Sequence, residues 1–520
     1  MTMARDTRRI QLPILPAAST AAPASPGAGG AVDTLDAGVR IGLLTLGCDK
    51  NTVDSERILA RLAGAGASVT ADLADADVVV VNTCGFIDAA KEESIETILE
   101  AVRLKQQGRV RAVVAMGCLV QRYKTELEQE LPEVDLFLGL TEAERLIPAL
   151  RQQGVLPAHS PVSTMEQPLR LLSTRTPHTS YLKVSEGCDH TCAFCAIPLM
   201  RGKHRSTPPD VLLAEARELE RNGVVELNLI SQDTSWYGRD LQRGHAVDSG
   251  DYFVGRTFAG MAGPHALESV ARGAAGGARG GLLTDLLRRL LAETSVPWFR
   301  LFYMYPSGIQ RELVDLMAQE PRLLPYLDMP IQHGADAVLA RMRRPERRAT
   351  ILERVGWLRA AVPGITLRTT VIVGFPGETD EDFESLLELL ETVRFDRVGA
   401  FPYSVEEGTL AGTLPDQVDA GVKRERLERL LEVQRGITLE RNERWVGRKT
   451  RVLIDSLTGR DAEDGTAHAR GASGRTDGQA LEVDGVVHVR DARGSQPGEF
   501  VQVRITDALE DDLIGEICED

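Results

Sequence analysis

The sequence predicts an α/β protein in three folded parts: an N-terminal parallel-sheet domain, an incomplete (βα) barrel of the TIM type, and a small antiparallel β-barrel at the end. Three observations carry this reading. Short apolar strand-like runs alternate with helical patterns from about residue 38 to 154, and six longer strand and helix repeats follow between 178 and 442. Beyond Trp445 the texture changes to brief runs separated by turn residues. Alternating strands and helices build parallel sheets, whereas closely spaced short strands build barrels.

At 520 residues the chain is too long for one core, and its length supports about three domains. Hydrophobic residues make up 43% and charged residues 26%, the balance of a soluble globular protein. No apolar run approaches the roughly 18 residues of a membrane helix. The net charge of -16 advertises no large phosphate-binding surface and favours a basic partner over DNA. Seven cysteines are grouped rather than spread as a disulfide framework, which points to a reducing compartment, the cytoplasm.

Residues 1–37 hold Arg5, Arg8 and Arg9 and then LPILPAASTAAPASPGAGGA. Pro13 and Pro16 break its apolar part, so a disordered Ala/Pro-rich tail is preferred over a cleaved signal.

The first domain, 38–154, contains RIGLLTLGC ending at Cys48, DADVVVVNTCGF carrying Cys84, and VRAVVAMGC ending at Cys118. Between them VDSERILARLAGAG and AAKEESIETILEAVRLKQQG have helical periodicity. Each cysteine therefore sits at the carboxyl end of a strand, where ligands gather in parallel sheets. A buried cysteine in such a place is commonly only a small hydrophobe. Three that converge, flanked by Gly47, Gly85 and Gly117, point instead to a shared ligand.

Residues 155–177 read as a linker. The second series comprises TSYLKVSEGC, VVELNLISQDTSWYG, VPWFRLFYMYP, PYLDMPIQHG, GITLRTTVIVGFPGET and DRVGAFPYS, interrupted by a Gly/Ala-rich insert over 239–281. A charged helix from Val422 to about Asn442 leads into the last domain, 443–517, with the runs RKTRVLIDS, GTAHARG, VDGVVHV, GEFVQVRIT and DDLIGEI.

The most specific motif is EGCDHTCAFCAIP, with Cys188, Cys192 and Cys195 inside eight residues. A structural zinc ion wants four ligands, and the local candidate for a fourth is His190. Three thiolates alone suit a four-iron cluster with one open iron. The spacing Cys-x-x-x-Cys-x-x-Cys, with Phe194 before the last cysteine and an incomplete barrel around it, resembles the radical SAM superfamily. That resemblance implies a 4Fe-4S cluster that splits S-adenosylmethionine to a deoxyadenosyl radical.

The motifs LGCDKNTVDSE, NTCGFIDAAKEES, GCLVQRY, EGCDHTCAFCAIPLMRGKHRS, YLDMPIQHG and VIVGFPGET, with a last domain that looks like a TRAM domain, are similar to the methylthiotransferases across about residues 39–517. The resemblance implies two 4Fe-4S clusters. Cys48, Cys84 and Cys118 would hold the auxiliary one and Cys188, Cys192 and Cys195 the S-adenosylmethionine-binding one. Phe194, Gly374 and Gly377 are candidates to contact S-adenosylmethionine, although a strand-to-helix turn needs glycine in any case. Asp328, Gln332 and His333 either face the site or form a satisfied polar turn. Cys518 is incidental.

HTCAFCAIPLMRGKHRS, SQDTSWYG, FYMYPSG and DMPIQHGAD are spelled most like the RimO branch, which modifies an aspartate of ribosomal protein S-twelve in the small subunit. From Gly447 to Asp520 nine Lys or Arg stand against sixteen Asp or Glu, which suits a basic protein surface better than RNA. The implied reaction removes hydrogen from the aspartate β-carbon, adds sulfur from the auxiliary cluster, and takes a methyl group from a second S-adenosylmethionine. An electron donor and a sulfur source are the remaining partners, with no membrane and no DNA. The rival enzyme is a transfer RNA adenosine methylthiotransferase, distinguished by RNA binding at the last barrel. The rival outside catalysis is an iron-sulfur scaffold or redox sensor that never cleaves S-adenosylmethionine.

Overall fold

The computed structural model describes residues 38–158, 168–173, 176–242, 282–458, 471–492 and 494–518. The expected N-terminal tail and nearly all of the 239–281 insert lie outside these residues, apart from a short helix Arg239–Gln242. Two compact units meet in sequence between Arg175 and Thr176. None of the described helices is long and apolar enough to cross a membrane.

The first unit is a five-stranded parallel sheet ordered β2-β1-β3-β4-β5, built from β1 (Arg40–Thr45), β2 (Ser68–Thr70), β3 (Val78–Thr83), β4 (Ala112–Gly117) and β5 (Leu136–Gly139). Helices α1 (Asp49–Gly64), α2 (Asp88–Gln106) and α3 (Cys118–Glu130) pack on it. Alternate strand residues serve opposite faces. Ile41, Val78, Val80 and Val114 pack with Ile58 and Leu62, while Val79, Val81, Val113 and Ala115 pack with Ile98 and Val102. Burial on both faces is why β3 reads as an unbroken valine run rather than an alternating strand. Apolar runs in the sequence mark β1, β3 and β4 but not β2 and β5, which are three and four residues long and carry little pattern.

The stretch expected as a linker is partly built into this unit. Val155 and Leu156 join its core. Farther on, the buried Glu56 carboxylate of α1 pairs with Arg170 and accepts from the Ser173 backbone N–H at 3.0 Å.

The second unit holds a six-stranded sheet, all parallel, in the order β13-β12-β11-β10-β9-β6. Its strands are β6 (Thr179–Lys183), β9 (Glu226–Ile230), β10 (Trp298–Leu301), β11 (Leu323–Asp328), β12 (Thr366–Val373) and β13 (Arg397–Pro402). The two-residue β7 (Ser185–Glu186) and β8 (Arg205–Ser206) form a separate ribbon. The six strands are those expected. In the described residues β6 and β13 remain sheet edges, so this barrel stays open.

The last part closes into a barrel in the order β14-β15-β16-β18-β17, from β14 (Lys449–Thr458), β15 (Gly471–Arg475), β16 (Val487–Arg490), β17 (Phe500–Ala508) and β18 (Leu513–Ile517). The expected antiparallel barrel is corrected at one seam, where β16 and β18 run parallel. Five strands in a ring cannot alternate direction all the way round, so one neighbouring pair must be parallel. Residues 465–470 of the expected strand GTAHARG lie outside the described residues, and β15 begins at its last residue, Gly471.

The small barrel seals the amino-terminal end of the parallel sheet. At the start of β9 the buried Glu226 lies between Arg300 Nε at 2.9 Å and Arg475 Nη1 at 2.6 Å. Arg475 also grips Asp455 at 2.7 Å, and Asp455 meets His178 Nε2 at 3.0 Å. The Tyr326 hydroxyl donates to Asp484 at 2.8 Å. Burial disfavours the Glu226 and Asp455 charges, but Arg475 and Arg300 around Glu226, and His178 and Arg475 around Asp455, outweigh it and hold both carboxyls below their ordinary range. Two of the sixteen acids of the last domain, Asp455 and Asp484, therefore serve this junction rather than an outer docking face.

Candidate functional site

In the first unit Cys48, Cys84 and Cys118 follow β1, β3 and β4, three neighbouring strands. Positions far apart in sequence are thereby brought to one edge. Cys48 caps α1 and Cys118 opens α3, so backbone N–H groups and the helix dipole favour negative charge beside them. Cys48 is exposed, and Cys84 and Cys118 are buried.

Asn51, in the first turn of α1, ties the three loops together. Its side-chain amide donates to Leu46 O at 2.7 Å and to Thr83 O at 3.1 Å, and its Oδ1 lies 3.8 Å from Cys118 Sγ. The Asn82 amide donates back to Asn51 O at 3.1 Å and to Ser55 Oγ at 2.9 Å. Ser94 clamps Cys84 on both sides, accepting from its N–H at 3.0 Å and donating to its carbonyl at 2.9 Å. Gly47 permits the approach: its φ is +90°, and a Cβ there would stand 2.7 Å from Cys84 Cβ and 2.8 Å from its Sγ.

In the second unit the Cys188–Cys195 loop follows β6 and β7, at the carboxyl end of the parallel sheet. The small terminal barrel occupies the other end. Loop geometry is set by backbone bonds: Cys188 N–H to Gly202 O at 3.0 Å, Ala193 N–H to Met342 O at 2.9 Å, and Ala411 N–H to Ala193 O at 2.7 Å. Cys188 and Cys192 are buried and Cys195 is partly exposed. Burial, with the charges of Asp233 and Cys192 adding, pushes the Cys188 thiol up to about 12. Burial and Cys192 do the same to Cys195, also to about 12. Such thiols ionise only when a cationic group binds them.

His190, the local candidate for a fourth zinc ligand, turns its Nε2 to Asp233 at 2.7 Å and stacks on Tyr305 with ring centroids 4.2 Å apart. The Tyr305 hydroxyl lies 3.6 Å from Cys192 Sγ. Burial holds that hydroxyl protonated, far above its usual range. Just before the loop, Glu186 binds Lys183 at 2.6 Å and Arg201 at 2.8 Å. Burial opposes its charge, yet Arg201 and Lys183 keep it well below the ordinary carboxylate range.

Among the described residues no group of three His, Cys, Asp or Glu side chains is arranged to hold a single metal ion. Each trio instead offers three unlinked thiols. That donor set, with a glycine cradle in the first unit and His190 engaged elsewhere in the second, fits a polynuclear iron-sulfur group better than a tetrahedral zinc ion.

The other candidates are well packed. Phe194 borders an apolar cluster around Ala193, Met342, Phe375 and Tyr403. Gly374 and Gly377 have φ of +72° and +74° in the turn that follows β12, where a Cβ on Gly374 would strike the Lys423 side chain. Glu378 in that turn accepts from Phe375 N–H at 3.0 Å and pairs with Arg426 at 2.9 Å. Asp328 pairs with Arg368 at 2.8 Å, and His333 Nδ1 accepts from Ala335 N–H at 3.0 Å, while the buried His333 Nε2 faces the Glu378 carboxylate at 3.5 Å without a hydrogen bond. Cys518 is partly exposed, and its N–H donates to Gln502 O at 3.0 Å. Sequence patterns point to the cysteines but not to Asn51, Tyr305 or Arg344, whose Nη1 donates to Cys192 Sγ at 3.9 Å. Asn51 lies inside LGCDKNTVDSE and Tyr305 inside FYMYPSG, yet nothing in the order of residues says which neighbour would reach a thiol.

Comparison with known proteins places three family models on the chain. "Uncharacterized protein family UPF0004" matches residues 40–139, "Radical SAM superfamily" residues 182–390, and "TRAM domain" residues 446–518. A protein of Desulforudis audaxviator named ribosomal protein uS12 methylthiotransferase RimO is 43% identical over 91% of this chain and 96% of its own. Its namesake in Geobacter sulfurreducens is 40% identical over 92% of this chain and 98% of its own. Among solved structures, the radical S-adenosylmethionine methyltransferase TsrM of Kitasatospora setae covers 77% of this chain and 89% of its own at 14% identity and a TM-score of 0.48, too distant to carry an argument.

Proposed function

The chain belongs to the RimO family of ribosomal protein uS12 methylthiotransferases, and on that premise we propose that it attaches a methylthio group to the β-carbon of an aspartate in uS12, the S-twelve protein of the small ribosomal subunit. It is a radical SAM enzyme, a class that uses a 4Fe-4S cluster and S-adenosylmethionine. We assign that cluster to Cys188, Cys192 and Cys195, and a second, auxiliary cluster to Cys48, Cys84 and Cys118. The observation that carries the assignment is that both trios are free thiols at the carboxyl ends of parallel strands.

When bound, these groups supply a radical able to remove hydrogen from an inert carbon and sulfur for the new bond. The protein's own part is to hold, orient and exclude water. His190, fixed by Asp233, and Tyr305 brace the second trio, while Asn51 and Ser94 brace the first. Phe194, Gly374 and Gly377 lie around one apolar cluster and are assigned to contact S-adenosylmethionine. The working setting is the cytoplasm, with an electron donor, a sulfur source and a second S-adenosylmethionine for the methyl group.

The test is anaerobic reconstitution with reductant and S-adenosylmethionine, offering uS12 and unmodified transfer RNA in parallel and reading masses of the digested products. Parent protein is expected to add methylthio to an aspartate peptide. Cys188→Ala should release no deoxyadenosine, whereas Cys84→Ala should release it without methylthio product. Methylthioadenosine in the RNA instead would overturn the substrate, and absence of deoxyadenosine from iron-loaded parent would overturn the reaction.

A further inference from the structure

His190 of the Cys188–Cys195 loop joins Tyr305 and Arg344 in a stacked trio of side chains whose charge the reaction as described leaves unused. The Tyr305 ring carries His190 at 4.2 Å, parallel within 6°, and the Arg344 guanidinium carbon at 3.7 Å from its centre. Two groups that close to one ring centre must occupy opposite faces. Both outer members are anchored. His190 is held by Asp233 at 2.7 Å. Arg344 donates through Nη2 to Pro330 O at 2.8 Å, and its Nε faces Glu346 at 3.3 Å. Glu346 in turn accepts from the Ser307 hydroxyl at 3.0 Å. From this locked stack two polar groups reach one sulfur: Arg344 Nη1 donates to Cys192 Sγ at 3.9 Å, and the Tyr305 hydroxyl lies 3.6 Å from it, able to donate once that sulfur is a thiolate.

Arg344 is only 3% exposed. A guanidinium so deeply buried is costly unless negative charge surrounds it. Glu346 supplies some, and a Cys192 thiolate would supply more. Arginine keeps its proton at any working pH, so its field on the sulfur is permanent.

We propose that Arg344, acting with Tyr305, sets the reduction potential of the cluster held by Cys188, Cys192 and Cys195 by donating to the Cys192 sulfur. Adding an electron adds one negative charge to the cluster. A hydrogen bond to a ligating sulfur and a fixed cation beside it both favour the more negative state, so the pair raises the potential and eases reduction. Arg344 is thus a positioning residue that acts through Cys192. The inference rests on the assignment of that cluster to these three cysteines.

The experiment uses the full chain with Cys48, Cys84 and Cys118 changed to alanine, so that one cluster remains. It is reconstituted with iron and sulfide and titrated with low-potential dyes without S-adenosylmethionine, the reduced cluster being read by electron paramagnetic resonance. Arg344→Gln is expected to make one-electron reduction about tenfold less favourable, a midpoint ~59 mV more negative. Tyr305→Phe should shift it the same way by less, and Arg344→Lys should recover part of the loss. Unchanged midpoints in iron-loaded Arg344→Gln and Tyr305→Phe would overturn the inference while leaving the cluster assignment intact. Should Arg344→Gln fail to hold iron, the midpoint of Tyr305→Phe decides alone. A background protein that takes up no iron would overturn the cluster assignment itself, and the inference with it.

Discussion

Asn51 and Cys118 are 67 positions apart in the chain, yet Asn51 Oδ1 lies 3.8 Å from Cys118 Sγ while the same side chain bonds the carbonyls of Leu46 and Thr83. One amide thus joins the loops of all three cysteines. Asn51→Ala orphans two buried carbonyls, each costing roughly 1–3 kcal/mol. Thermal unfolding of the iron-free chain should show that loss, and iron bound by the reconstituted variant should fall while the Cys188–Cys195 site stays loaded. A variant with parental stability and full iron would refute the role given to Asn51.

Gly47 packs directly against Cys84. Gly47→Ala places a methyl group 2.7 Å from Cys84 Cβ at a φ of +90°, a conformation costing an L-residue on the order of 1–2 kcal/mol before any clash is counted. The expected result is deoxyadenosine release close to the parent's with little methylthio product. Normal product yield would show that the cradle tolerates a side chain.

Glu226 lies fully buried between Arg300 and Arg475 at the junction of the sheet and the small barrel. Arg475→Ala removes a partner of both Glu226 and Asp455, and breaking a buried pair from one side typically costs about 3–5 kcal/mol. Calorimetry should show a lower Tm. Limited proteolysis should show earlier cutting between the helix Ala420–Glu443 and β14. Unaltered Tm would mean that water replaces the lost cation without penalty.

The same junction should respond to acid. Glu226 and Asp455 have folded-state pKa values depressed below their unfolded ones. Their contribution to stability is therefore complete above the unfolded carboxylate value, about 4. It is lost as pH falls through the lower, folded value. The Tm difference between parent and Glu226→Gln should hold steady from about pH 8 to 5 and shrink below about 4. A difference that grows in acid would reverse the sign argued here.

The sequence by itself determined the order of the elements and singled out the cysteines as candidates for the chemistry. Spacing over Cys188–Cys195 is local, and strands such as Val78–Thr83 announce themselves by apolar runs long enough to read. The edge strands Ser68–Thr70 and Leu136–Gly139 were not legible, because so few residues hold no periodicity and their pairing is decided by the neighbouring strand. Nor was the parallel seam between β16 and β18, which follows from closing an odd ring and not from either strand's residues.

What only the tertiary structure decided is which polar side chains face the thiols and what the acidic residues are for. Asn51, Tyr305 and Arg344 meet cysteines through contacts that span 67, 113 and 152 positions. Asp455 and Asp484, which in the sequence merely add to an acidic barrel, are buried against the base of the parallel sheet. Composition and local spacing record what a residue can do. Burial and long-range register, which exist only once the chain has closed on itself, select the partner with which it does so.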